Sequence, residues 1–155
     1  REPSTSESTS NGSGGTGTTM TYYGAYIRLN SNKQPTFECI NDSDLYTTSG
    51  SEDGNKALTY PIGLITVDET WYAGGVRLVE NYSYYLCTRQ HYWTMSPSSF
   101  SGGYANMFYA HMDGNLFYAY SVDYSFGVRP VINLKADLTI TGSGITSDPY
   151  KVEGA

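Results

Sequence analysis

The sequence predicts an α+β fold, with one short helix and a twisted antiparallel sheet joined by long loops, on three observations. Thr66-Val67-Asp68-Glu69 has the form of a helix start in which Thr66 and Glu69 cap each other. Asp113-Gly114, with aromatic and aliphatic residues on both sides, has the form of a hairpin turn. After Tyr82 the chain reads as strands and loops, with no internal repeat. Its 155 residues suit one domain that buries about two-thirds of its unfolded surface.

Residues 1–19 hold no aliphatic or aromatic side chain and cannot offset their own ordering entropy, so they are expected to form a flexible Ser/Thr/Gly tether ahead of a domain over 20–155. Tyr22, Tyr23, Tyr26 and Ile27 fit a short helix or a strand equally well. Residues 41–56 are turn-rich and polar, a surface loop. Asp68 and Glu69 also suit the positive end of a helix dipole, and Gly74-Gly75 ends the helix after about two turns, with Trp71 facing inward.

At the Asp113-Gly114 turn, a two-residue loop puts Met107, Tyr109 and His111 on one face with Leu116, Tyr118 and Tyr120. A bulged loop swaps the faces, so parity leaves the register open. Val128 to Leu134 reads as a buried strand with Pro130 at an edge or bulge. Leu138–Ile140 and Tyr150–Val152 read as a closing hairpin. Trp93, Phe108 and Leu116 are the expected core of the strand region.

A net charge of −6 argues against a nucleic-acid partner or an anionic membrane surface. No stretch approaches the roughly 20 apolar residues of a membrane helix, so no direct membrane insertion is expected. The chain opens on Arg1 and is read as a processed product whose anchor lies upstream. Cys39 and Cys87 belong to no CxxC pair. A disulfide between them closes a loop of about 49 residues and adds at most about 4 kcal/mol; two buried thiols are the alternative, and secretion favours the disulfide.

Catalytic patterns are missing. His91 and His111 lack metal-ligand spacing, no GxSxG occurs, and the carboxylates fall in a loop (Asp42, Asp44, Glu52, Asp53) or on the helix cap. No enzyme activity, cofactor or metal is therefore expected.

The aromatic distribution says more. Of 16 tyrosines, nine lie in residues 81–126, where even spacing puts about five; the same window adds Trp93 and four phenylalanines and contains no lysine. Tyr with Ser, Gly and Asn is the composition of antibody binding loops, where a rigid amphipathic ring gives contact area at low entropic cost. A tyrosine-based core is the competing explanation, but so many phenols cannot all find buried partners.

The pieces TYPIGLITVDETWYAGG, NYSYYL, YWTMSP (Tyr92 to Pro97) and GVRPVINL (Gly127 to Leu134) occur in an order that resembles C-type-lectin-like domains of bacterial surface proteins, minor-pilin-like chains among them. The resemblance spans about residues 22–153. It implies a compact lectin-like fold with the GVRP strand central and Arg129 inside, paired with Asp68 or Glu69. Some such domains are variable proteins of diversity-generating retroelements, and residues 98–124 occupy the matching place.

The face so implied comprises Ser98, Phe100, Tyr104, Tyr109, His111, Phe117, Tyr118, Tyr120, Asp123 and Tyr124, contacting a protein or glycan at a cell surface. The EPN, QPD and WND triplets of calcium-dependent lectins are missing from the domain. The expected function is a secreted, surface-displayed, adhesin-like binding module. The alternative is a structural minor-pilin or surface-layer subunit that uses the same face for assembly. A weaker third reading, an enzyme related to the formylglycine-generating group, depends on a reactive thiol.

Overall fold

A computed structural model describes residues 21–39, 46–47, 57–60, 62–101, 103–134, 137–145 and 147–153. The expected tether over 1–19 and nearly all of the 41–56 loop lie outside them. The elements run β1 (Thr21–Tyr22), α1 (Gly24–Tyr26), a π-helical turn (Ile27–Asn32), β2 (Gly63–Leu64), α2 (Val67–Tyr72), β3 (Tyr92–Ser101), β4 (Tyr104–Ala110), β5 (Leu116–Ser121), β6 (Pro130–Val131), β7 (Ile140–Thr141) and β8 (Lys151–Val152). The fold is α+β with antiparallel sheets. The principal one has the order β1-β3-β4-β5, and the pairs β2-β6 and β7-β8 form two small ribbons.

The capping box forms as the sequence predicts. Thr66 Oγ1 accepts from the Glu69 amide at 3.1 Å, and Glu69 Oε2 accepts from the Thr66 amide at 2.8 Å. Ser96 Oγ on β3 accepts from the Val67 amide at 3.0 Å, satisfying another helix-start donor. At the other end Gly74 has φ 114°, its amide donates to Trp71 and the Gly75 amide donates to Thr70, which closes the helix after six residues. The ambiguous stretch at Tyr22 proves to be both strand and helix: β1 runs directly into α1.

One face of the principal sheet packs on the helices. Its core joins Tyr92, Phe108, Ala110 and Leu116 from the strands to Ala25, Leu29 and Val67, with Tyr26, Ile65 and Trp71 packed at the margin. Phe108 and Leu116 are core as expected. Trp93 is not; it is half-buried on the opposite face.

Arg129 differs from expectation in its partner. Its Nη1 donates to the Leu86 carbonyl at 2.7 Å and its guanidinium lies 4.9 Å above the Tyr92 ring. Asp68 instead holds Arg28, through Nε at 3.1 Å and Nη2 at 2.7 Å, and Glu69 is occupied by the cap. Arg129 is only half-buried, so a carbonyl and an aromatic face suffice where a buried charge would need a carboxylate.

The 128–134 segment is also not a buried central strand. Among the described residues only Pro130–Val131 pairs, with β2, and Val128, Ile132 and Leu134 are exposed. Cys39 and Cys87 do not form the expected disulfide; Cys87 Sγ instead donates to the Met112 carbonyl at 3.7 Å. The closing hairpin forms as β7-β8, with Ile140 opposite Val152. Among the described residues no helix is long and apolar enough to cross a membrane.

Candidate functional site: the outer aromatic face

The outer face of the sheet is built by two irregularities in its strands. At the hairpin, the Gly114 amide donates to His111 O and the His111 amide to Asn115 O, both at 2.9 Å, with Gly114 at φ 85°. This is a three-residue loop ending in a left-handed glycine. It places Tyr109 opposite Phe117, the register of the bulged turn. A register shift between Met107 and Tyr109 then sets Met107 against Tyr120, so three residues of β5 answer two of β4. Phe117 and Tyr120 consequently share a face with Tyr109.

The segment after β5 turns back over this face and lays Phe126 at its middle. The Phe126 centroid lies 4.6 Å from Trp93, 4.9 Å from Tyr109, 5.0 Å from Tyr120 and 5.1 Å from His91. Around it Tyr109 stacks on Phe117 at 5.6 Å and meets Tyr120 edge-on at 5.3 Å. Tyr124 stands edge-on to Tyr120 at 4.6 Å. Offset and edge-to-face pairs of this kind add about 1 kcal/mol each beyond their buried area. The face is therefore a stiff layer of rings.

Its polar corner lies at the hairpin. His111 Nδ1 is 2.8 Å from Asp113 Oδ1, which also accepts from the Asn115 amide at 3.0 Å. That contact ties the His111 ring to the turn, and the Asp113 amide also lies 3.5 Å from the same Nδ1. Burial alone would raise the Asp113 carboxyl, but bonds from the Asn115 backbone and from His111 outweigh it and hold it below the usual aspartate value. The His91 imidazole lies 4.5 Å from His111, centroid to centroid. Its pKa is lowered by burial and then by the neighbouring His111, with Asp113 working the other way. Burial, followed by Tyr120, pushes the Tyr109 phenol up to about 12.

The structure divides the expected site residues into three groups. Tyr109, His111, Phe117, Tyr120 and Tyr124 come together in the ring layer. Of these Tyr109 is 5% exposed, a floor under the others rather than a contact surface, while Tyr124 is 55% exposed. Asp123 is exposed beside Tyr124, and Tyr104 is 59% exposed on β4.

Ser98 must be struck from the face. It is fully buried on the inner side of β3, where Thr94 and Ser96 satisfy backbone groups of β4 and α2. Phe100 is half-buried near the far end of β3, where it pairs with β1. Tyr118 belongs to the bulged part of β5, and its side chain lies outside the described set.

The residues the sequence reading missed are His91, Asp113 and Phe126. Phe126 directly precedes the GVRP run, and nothing in its local sequence shows that the chain folds back. His91 and His111 carried a signal in hindsight, since each is the residue next to a strand end on neighbouring β3 and β4.

Chemically, the face can stack a flat apolar surface and offer phenol, imidazole and carboxylate groups at its rim. Among the described residues no serine, threonine or cysteine side chain hydrogen-bonds His111, and no group of three His, Cys, Asp or Glu side chains is arranged to hold a metal ion. No protein-family description, no curated protein and no solved structure matches the chain.

Proposed function

We propose that this chain is a binding module of the C-type-lectin-like kind, carried on the outside of a bacterial cell, and that it is not an enzyme. Its outer aromatic face contacts a protein or a glycan. One observation carries the reading: Tyr120, Tyr124, Phe117 and His111 form the accessible rim of a ring layer whose floor, Tyr109, is already filled from below. A surface so organised loses little entropy when a partner lands on it, because its rings are pre-set by one another. Asp123 and the Asp113-bound His111 supply polar groups at the margin. The retroelement-variable reading rests on the resemblance, and it predicts that sibling copies differ within residues 98–124, Tyr120, Asp123 and Tyr124 among them, while YWTMSP and GVRP stay fixed.

The test is binding of the purified chain to a glycan array and to intact bacterial and host cells, beside the double variant Tyr120→Ser/Tyr124→Ser. Losing two aromatic contacts should weaken binding by at least about 30-fold, the scale of one strong interface residue. Undiminished binding by the variant moves the contact elsewhere.

A structural role as a minor-pilin or surface-layer subunit draws support from a different surface. Ile62, Val128, Ile132 and Leu134 are exposed on and beside the β2-β6 ribbon, an aliphatic surface apart from the ring layer. Concentration-dependent self-association in sedimentation, abolished by Ile132→Lys and not by the tyrosine variant, would favour that role.

A further inference from the structure

His91 stands just before β3, with its imidazole wedged between the hairpin loop and the returning segment 122–127. Phe126 stacks on one side of it, centroids 5.1 Å apart and planes 29° from parallel. His111 lies against it at 4.5 Å, and Tyr109 meets it edge-on at 5.7 Å. Its Nδ1 is closed off from water and has no hydrogen-bond partner. The backbone makes a second tie at the same place. The Gly127 amide donates to the His91 carbonyl and the Trp93 amide to the Gly127 carbonyl, both at 3.0 Å. Segment 122–127 is thus fastened to β3 by two backbone bonds at one end and by the Phe126 ring next to them. At its start the Val122 amide holds the Ala105 carbonyl at 3.0 Å.

The titratable groups that face His91 are Tyr109 from β4 and His111 and Asp113 from the hairpin; segment 122–127 faces it with the uncharged Phe126 ring. A neutral imidazole suits this slot. A cation there must leave water without a partner for Nδ1 and lie beside a second imidazole whose Nδ1 already engages the one nearby carboxylate. The Phe126 face attracts a cation only weakly by comparison. The direction of the His91 shift agrees with this geometry: burial first, and then His111, oppose its charge.

We propose that His91 is an acid-sensitive latch: protonation of its imidazole frees segment 122–127 from the sheet and bares the Trp93 and Tyr109 rings beneath. The charged ring swings to water, Phe126 loses its stacking partner, and the Gly127 bonds open with it. Use of the latch to gate binding rests on the reading above, but the latch itself is tested without ligand, so the two can fail separately.

Amide hydrogen exchange read by mass spectrometry at pH 7.5 and pH 5.5, corrected for intrinsic rates, tests it on the wild type and on His91→Phe, which keeps a ring in the stack and cannot titrate. The expected result is a several-fold loss of protection in 122–127 at pH 5.5 in the wild type, with about tenfold the most that one imidazole of ordinary pKa in the open state can supply, none in the variant, and unchanged protection of β4 in both. Equal protection at both pH values, the same loss in His91→Phe, or a loss spread across the whole sheet each overturns the proposal. Should His91→Phe fail to fold, an NMR titration of the wild type decides instead. Phe126 and Trp93 ring signals that move with His91 protonation support the latch, and signals that stay still while His91 titrates overturn it.

Discussion

Asp68 is 3% exposed and accepts three hydrogen bonds, two from Arg28 and one from the Thr36 amide at 3.0 Å. It sits in the first turn of α2, whose dipole also favours a negative charge. One carboxylate thereby joins α2 to the π-helical turn and to the irregular segment after it. Asp68→Asn keeps the shape, removes the charge and strands the guanidinium, so urea unfolding should show a loss of about 3 kcal/mol, the usual cost of breaking a buried pair from one side. The sequence marked Asp68 as structural because it sits in a capping box. It could not name the right arginine, since Arg28 and Arg129 both lie far away in the chain and only the fold decides which arrives. Ser98 was misjudged for a related reason. A serine in a Ser/Tyr-rich run looks like surface, yet β3 turns its Thr94, Ser96 and Ser98 inward, where the first two serve as hydrogen-bonding groups for neighbouring backbone.

Elements whose signals are local were legible: the capped helix, its glycine stop, the Asp113-Gly114 hairpin and the closing β7-β8 pair. In each, a few adjacent residues carry the whole instruction. Gly114 is the sharpest case, with φ 85° and a position where an added Cβ would run into the backbone of Asn81. Gly114→Ala should therefore cost more than the roughly 1–2 kcal/mol of a left-handed alanine alone, measured as a lowered melting temperature with weakened Asn115 protection. The GVRP run was illegible for the opposite reason. Its aliphatic content reads as burial, but burial depends on what covers the strand, and only the two residues of β2 pair with it. The strand faces were equally hidden, because shifts around Pro97 in β3 and between β4 and β5 reset the alternation that parity depends on. Composition located the aromatic site within residues 81–126 but could not divide it. Tyr84, Tyr92 and Tyr109 are buried while Tyr82, Tyr85, Tyr104 and Tyr124 are exposed, so the window supplies core and surface together.

At the scale of the molecule, one sheet separates a mixed aliphatic and aromatic core under the helices from a layer of rings on the other side, and that ring layer carries His91 and Asp113. His91 has its folded-state pKa below the ordinary 6.5, so the unfolded chain binds more protons just beneath that value. Its contribution to stability is complete above pH 6.5 and is lost as pH falls from there through the lower folded pKa. Asp113, lowered from 3.8, adds stability that persists above that value and disappears as pH drops through the folded pKa. Both terms have one sign, and the urea midpoint should be highest near pH 7–8 and decline towards pH 5, with a flatter profile in His91→Phe. A midpoint that rises on acidification would contradict this assignment of charges. The bulge in β5 has one more consequence, for crowding. Among the described residues β5 beyond Leu116, which meets Val76, pairs only with β4, and its other side is a sheet edge. Three residues set against two break the even row of amides and carbonyls along that edge, and a neighbouring molecule finds no continuous template on which to add a strand. Pairing of this edge with a second copy of the chain is thereby disfavoured.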